Sequence, residues 1–213
     1  MAEQYNPLGT SSESMSTRHI SAALQNYEAA RSQFFVFEVD FAHPETGKAN
    51  LLKPEYSGDP KAATEDDFIQ NAEEPLRLNV TKATVPHFTV GVESYRRGND
   101  VVKFATVPEW NEGSIDVDDV VGLRTKDILT AWLYLAYNPN TRVGGRMIDY
   151  KKTCTLYEYT QDYKLIRKWT LEGCFIKGLT EGEFDRESTD GKRKITAEIV
   201  YDRARVTNTY TTI

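Results

Sequence analysis

The fold of this chain is decided by three stretches near its C-terminus in which apolar and polar residues alternate: KTCTLYEYT (152–160), LIRKWTLEGCF (165–175) and KITAEIVY (194–201). Successive side chains of a β-strand point to opposite faces, so this alternation indicates strands with one buried face and one polar face. A short polar break separates the first two stretches, which predicts an antiparallel hairpin. The apolar faces of the second and third stretches contain Leu165, Trp169, Leu171, Ile195, Ala197, Ile199 and Tyr201.

Length, composition and charge restrict the classes of protein that the chain can be. Its 213 residues are enough for one domain with a buried core, and 39% hydrophobic residues indicate a globular protein. A net charge of -6 and a pI near 5.2 argue against a protein that binds the phosphates of nucleic acids. This charge suits a surface over which DNA passes without being bound.

The sequence predicts neither a secretion signal nor a membrane segment. The N-terminus lacks the basic and apolar regions of a signal peptide, and no apolar run approaches the length needed to cross a bilayer. Cys154 and Cys174 lie on the two strands of the predicted hairpin but not opposite each other about its turn. We therefore expect two reduced, mostly buried thiols in a protein that is made and kept, or assembled, in a reducing cytosol.

The chain is predicted to divide into three parts. Residues 1–33 form a flexible polar arm and a short amphipathic helix, which packs either on its own domain or on a neighbouring molecule. Residues 34–205 form a β-domain, and 206–213 form a C-terminal tail. A polar insert at 43–75 interrupts the β-domain. Its prolines and weak periodicity are typical of a segment on an outer face or at an interface.

Further strands are predicted in the first half of the β-domain. The turn between the last two of them contains Gly98 and Asn99, which tolerate left-handed turn geometry and so predict a second hairpin. These strands lie at 34–41, from Leu76 onward, at 88–95 and at 101–107.

One well-formed helix is predicted after these strands. Thr125 is a candidate cap, and Ile128, Leu129, Trp132 and Leu135 form a broad apolar face. The elements together predict a mainly β fold: an antiparallel barrel or sandwich of about seven or eight strands with one packed α-helix, plus the N-terminal arm and helix. The candidate core residues are Phe35, Phe37, Val39, Trp132, Leu165, Trp169, Leu171, Ile195 and Ile199.

The motifs of catalysis and ligand binding are missing from the sequence. His19, His43 and His87 are scattered and show no catalytic or metal-ligand spacing, so exposed or structural histidines are the better interpretation. Residues 116–119 begin like a calcium loop, but Val120 stands where an oxygen ligand is needed, so the polar face of a further strand predicted at 113–121 is the better interpretation. We therefore expect no enzyme and predict no catalytic residues, no cofactor and no metal site.

A resemblance to a known family rests on three C-terminal segments: RKWTLEGCFI (167–176), GEFD (182–185) and KITAEIVYD (194–202). They resemble the C-terminal half of the tail tube proteins of contractile-tailed bacteriophages, a family shared with the tubes of contractile injection systems. The family pattern is a strand rich in charge and Trp that ends in a Gly-aromatic step, then a Gly-Glu-apolar-acid run, then a strand that ends in an aromatic and an acid. Further similar segments lie at 32–39, 78–86, 101–106, 114–120, 126–137 and 150–152.

The resemblance implies a structural virion protein that forms stacked hexameric rings. Strands of neighbouring subunits would join in a continuous barrel, and the stacked rings would form a tail tube through which DNA leaves the capsid when the sheath contracts. The implied partners are other copies of the chain, the tail sheath protein, and the baseplate and tail terminator proteins. Phage DNA would pass through the lumen without specific binding, and the tail would be assembled in the host cytoplasm. Candidate polar residues of the lumen or ring wall are Asp116, Asp118, Glu172 and Glu198.

Two other interpretations remain open. The chain could be a tube subunit, or a baseplate-proximal tube subunit, of another contractile injection system. More distantly, it could be a small-molecule-binding β-barrel or an enzyme with an unrecognised site, which predicts a monomer with one apolar pocket. The arm, the 43–75 insert and the 180–193 loop are hypothetical contacts between rings or with the sheath.

Overall fold

The structure is a computed structural model that describes residues 32–45, 51, 72–120, 122, 124–182 and 192–208. The predicted arm and N-terminal helix, and most of the insert and of the 180–193 loop, lie outside these residues. Within the described residues the elements are β1 (Phe35–Asp40), α1 (Glu73–Asn79), β2 (Val80–Ala83), β3 (Phe88–Arg97), β4 (Asp100–Trp110), β5 (Gly113–Asp118), α2 (Thr125–Ala136), β6 (Tyr137–Asn138), β7 (Val143–Gly144), α3 (Met147–Tyr150), β8 (Lys152–Tyr159), β9 (Leu165–Glu181), β10 (Lys194–Val200) and β11 (Arg203–Asn208).

In the part of the chain that the structure describes, seven strands form one antiparallel sheet, in the order β1-β8-β9-β10-β5-β2, with β11 paired to β9. The two ends of this order, β1 and β2, contact each other, so the sheet curls toward a barrel. The 17-residue strand β9 joins the two halves, because its first half pairs with β8 and β11 and its second half with β10. The predicted mainly β, antiparallel fold is confirmed.

The predicted hairpin of β8 and β9 is present, with a bulge that its sequence did not reveal. Cys154 lies opposite Leu171 and Cys174 opposite Lys152, and both cysteines are free and buried. The register shifts between these two pairs, where Gly173 adopts a φ of 66°. The buried positions of β9 therefore change from odd to even numbers after the bulge.

The core lies between the inward face of the sheet and helix α2. Trp132 lies at its centre, where its Nε1 donates to the carbonyl of Tyr150 at 3.0 Å and its ring meets the edge of Phe41. Of the candidate core residues, Phe35, Leu165 and Trp169 are only partly buried. The fully buried ones are Phe37, Val39, Trp132, Leu171, Ile195 and Ile199.

Helix α2 has the predicted apolar face but begins differently from the prediction. Its N-cap is Arg124, which has a left-handed φ of 52° and provides no side-chain cap. Thr125 is instead the first helical residue and is completely buried, with its hydroxyl 3.5 Å from the amide of Asn79 in α1. The prediction that Thr125 caps the helix was therefore wrong, because tertiary contact with α1 determines where that side chain points.

The strand predicted from Leu76 is a helix up to Asn79. Leu76 is completely buried and Leu78 is 63% exposed, so they do not share a strand face. Glu73 and Glu74 lie in the first turn, where negative charge favours a helix, and Pro75 is tolerated there. Extended structure begins only at Val80 in β2.

Strand β11 was missed and extends to Asn208, three residues beyond the predicted end of the β-domain. Its pairing with β9 places Ala204 opposite Leu171, and both side chains are buried. The alternation of Ala204 and Val206 with Arg203 and Arg205 was the sequence signal that could have predicted this strand.

Candidate assembly surfaces

The hairpin of β3 and β4 projects from the domain. Every residue of β3 is exposed, and so is every residue of β4 except Trp110. A two-residue turn joins the strands at Gly98, whose φ of 66° agrees with the predicted turn. Within the described part of the chain, β3 and β4 pair only with each other, so both outer backbone edges of the hairpin are open.

The hairpin exposes large apolar side chains on both faces. On one face lie Phe88, Val90 and Val92, and on the other lie Tyr95 and Phe104. More than half of the surface of Val92, Tyr95 and Phe104 is exposed. A two-stranded ribbon is marginally stable in water, and an apolar surface of this kind marks an interaction site. The hairpin is thus the strongest candidate for a protein interface.

Strand β11 presents a second open edge. It pairs with β9 on one side, and no described strand pairs with its other side. Arg203, Arg205 and Val206 are exposed along it. Open edges of this kind accept a strand of another chain unless they are protected.

Asp116 and Asp118 lie on the polar face of β5, beside lysines of the neighbouring strands. The hydroxyl of Thr196 donates to Asp116 at 2.8 Å, and Lys82 of β2 is the register partner of Asp116 on the other side. Asp118 lies opposite Lys194 of β10. The two carboxylates are therefore interleaved with ammonium groups.

Glu198 shares this polar face, opposite Ser114 on β5. Its carboxylate lies near Gly178 of β9, so it is close to Lys177. Lys177 bonds to Glu112 at 2.7 Å, and this bond together with Glu198 raises the pKa of Lys177. The structure therefore brings Asp116, Asp118 and Glu198 onto one face.

Glu172 lies apart from these three residues, in the first half of β9. Nε of Arg205 on β11 lies 2.9 Å from its carboxylate, and Arg203 is its register partner. The four sequence candidates thus do not form one site.

A buried polar cluster that the sequence analysis missed fixes the start of the insert. His43 is buried, and its Nδ1 accepts the backbone N–H of Glu45 at 3.2 Å. Its Nε2 therefore donates to Asp149, also at 3.2 Å. Arg146 binds the same carboxylate at 2.9 Å, which lowers the pKa of Asp149. His43 is thus a structural histidine.

Lys152 completes this cluster. Its ammonium is buried and donates to the carbonyl of Phe41 at 3.1 Å. Burial lowers the pKa of Lys152, while Asp149 and Asp40 oppose that shift. Lys152 is two residues before Cys154, so the two side chains point to the same face of β8. This spacing was the sequence signal that the lysine points inward.

Within the described ranges, no group of three His, Cys, Asp or Glu side chains is arranged to hold a metal ion. The helices of the described ranges are too short or too polar to cross a membrane.

No protein-family model matches the chain, and no curated protein matches its sequence. Solved structures do match it. A chain in the baseplate of the anti-feeding prophage has a TM-score of 0.58 and 11% identity, covering 86% of this chain and 99% of that one. A chain in the sheath-tube complex of PVC, an extracellular contractile injection system, has a TM-score of 0.56 and 16% identity over 92% and 99%.

A third match is to the tube-terminating cap of the anti-feeding prophage, with a TM-score of 0.57 and 13% identity over 85% of this chain and 93% of that one. The TM-scores of these matches show a common fold, and identities this low show nothing beyond the fold. The resemblance inferred from the sequence is confirmed at that level, since the chain has the fold of components of contractile injection systems.

Proposed function

We propose that the chain is a structural, non-enzymatic subunit of the tube of a contractile injection device. It binds copies of itself in hexameric rings that stack into a conduit. The observation that carries this proposal is the exposed hairpin of β3 and β4. A monomer leaves its apolar side chains and both its backbone edges in water, whereas strands of adjacent copies cover them.

The open edge of β11 supports the same proposal. Among the described residues, the hairpin and β11 both have unpaired strand edges. Pairing of these edges between copies around a closed ring covers them, which prevents unlimited aggregation. The same edges are the sites at which the strands of adjacent subunits join.

The partners beyond the tube are proposed from the matched structures. These include chains from a sheath-tube complex, a tube-terminating cap and a sheath/tube terminator. A sheath protein, a baseplate and a terminator are the corresponding partners of this chain.

Two versions of the function differ in what passes through the lumen. In a phage tail the cargo is DNA, and a uniformly acidic wall repels its phosphates. The polar face of β5 and β10 instead alternates Asp116, Asp118 and Glu198 with lysines. If this face lines the lumen, its near balance of charge favours the tube of another contractile injection system. Sequencing nuclease-protected nucleic acid from purified particles separates the two: phage genome inside them supports the first version, and its absence supports the second.

The assembly is tested with substitutions that leave the monomer intact. Val92→Glu and Phe104→Glu place charge on exposed hairpin residues, so we expect unchanged thermal unfolding and a loss of rings and tubes. Val143→Glu is the matched control, because Val143 is 63% exposed and lies outside the hairpin. Sedimentation velocity and negative-stain electron microscopy measure the outcome.

Wild-type protein that stays monomeric at all concentrations, even with a baseplate seed, would exclude the tube function. If the hairpin variants form tubes as readily as Val143→Glu, the hairpin is not the contact between adjacent subunits.

A further inference from the structure

The tip of the β3–β4 hairpin is cationic on one face. Lys103 lies opposite Ser94, and Arg96 is two residues after Ser94 on β3. Residues two apart on a strand share a face, so Arg96 and Lys103 lie on the same face of the hairpin. Neither Arg96 nor Lys103 has an ion-pair partner within the described residues.

The root of the hairpin is acidic. Glu109 is exposed near the end of β4, and Glu112 follows two residues after that strand. Glu112 bonds to Lys177, beside which the carboxylate of Glu198 also lies. Glu112 and Glu198 therefore share one ammonium, that of Lys177, and with the exposed carboxylate of Glu109 the root has an excess of negative charge.

Tip and root cannot neutralise each other within one copy. Lys103 and Glu109 lie six residues apart on β4, and at about 3.3 Å per residue the strand separates them by about 20 Å. Exposed charges this far apart are screened from each other at physiological salt. Complementary surfaces at the two ends of one hairpin fit a head-to-tail contact between copies, which repeats along an axis when it does not close into a ring.

We propose that the hairpin tip of one copy docks on the hairpin root of a second copy, so that Arg96 and Lys103 face Glu109, Glu112 and Glu198. This inference rests on the proposed function, since it assigns the contact by which one ring stacks on the next. The contact is heterologous, and it therefore gives the tube a direction.

A charge exchange between two variants tests the pairing. R96E/K103E reverses the tip and E109K/E112K reverses the root. Each variant alone is expected to raise the protein concentration needed for tubes by about tenfold or more, because like charges then face each other across the contact. An equal mixture is expected to recover tubes, since each reversed tip meets a reversed root.

The control variant is R142E/K164E, which changes the net charge as much as R96E/K103E at exposed residues outside the hairpin. It should form tubes like the wild type. Thermal unfolding checks that each variant folds, and E109Q/E112Q replaces the root variant if that variant does not fold. E109Q/E112Q should weaken the stacking of rings, and mixing it with R96E/K103E should not recover tubes.

The outcomes separate this inference from the proposed function. Wild-type protein that forms no rings or tubes contradicts both. If the wild type forms tubes and R96E/K103E forms them at the same concentration, the docking is wrong and the tube function stands. A mixture that stays as defective as its components also overturns the docking.

Discussion

Gly173→Ala tests whether the bend in β9 depends on a glycine. Gly173 has a φ of 66°, a left-handed conformation that is unfavourable for residues with a Cβ atom. A methyl group at this position would lie 2.8 Å from Cγ of Asp202, which is too close for two carbon atoms. The carboxylate of Asp202 accepts hydrogen bonds from Lys151 at 2.7 and 2.8 Å.

The magnitude follows from these two effects. The left-handed backbone costs an alanine about 1–2 kcal/mol. Displacing Asp202 weakens its pair with Lys151, and an exposed pair of this kind contributes less than about 1 kcal/mol. The sum is about 2 kcal/mol, which for a chain of this length lowers Tm by about 4–8 °C.

In a thermal unfolding assay, two control variants separate the cost of the left-handed backbone from the cost of displacing Asp202. Gly98→Ala has the same φ of 66° with no atom within 4 Å, so it measures the backbone cost alone. Asp202→Ala removes the carboxylate that the new methyl group would meet, so Gly173→Ala should cost less in that background than in the wild type. The reasoning fails if Gly173→Ala is no more destabilising than Gly98→Ala, or if removing Asp202 leaves its cost unchanged.

Three further predictions concern the core and the charged surface. Trp132→Ala should lower the free energy of unfolding in urea by about 3–5 kcal/mol, because it empties the centre of the core; a loss below about 1 kcal/mol would contradict that packing. Cys154 and Cys174 should not react with a thiol reagent in the native protein but should both react in denaturant, since both are buried and burial raises the pKa of Cys154; rapid native labelling would disprove this. The hydrogen bond from Lys126 lowers the pKa of Glu181 from its ordinary value of 4.5, so its stabilising contribution is present above that value and lost as the pH falls through the lower folded-state pKa. Glu181→Gln should therefore lower Tm at neutral pH and converge with the wild type in acid, and a constant difference across pH would refute the assignment.

The pairing of β8 with β9 could be predicted from the sequence because strand alternation and a short polar turn are local signals. The bulge at Gly173 could not, because nothing in the alternation shows where the register shifts. The failure at Leu76 has a similar cause. The alternation of Leu76 with Leu78 resembles a strand, but contacts of α1 with β1 and α2 bury Leu76 and hold the segment as a helix.

The candidate residues show the same division. Asp116, Asp118 and Glu198 were predicted on polar strand faces, and the structure places them on one face. Their lysine partners come from strands far apart in the sequence, so the charge balance of that face appeared only after folding. The cluster of His43 with Asp149 likewise joins residues that are 106 positions apart.

By itself the sequence determined that the chain forms a mainly β, antiparallel domain with one main helix, because periodicity and turn chemistry act over a few residues. It also determined that residues 88–107 form a hairpin. Only the tertiary structure decided that this hairpin lies outside the core with both edges open. The alternation of a strand is the same whether its apolar face is covered by its own domain or by a second molecule, so the local pattern cannot distinguish the two.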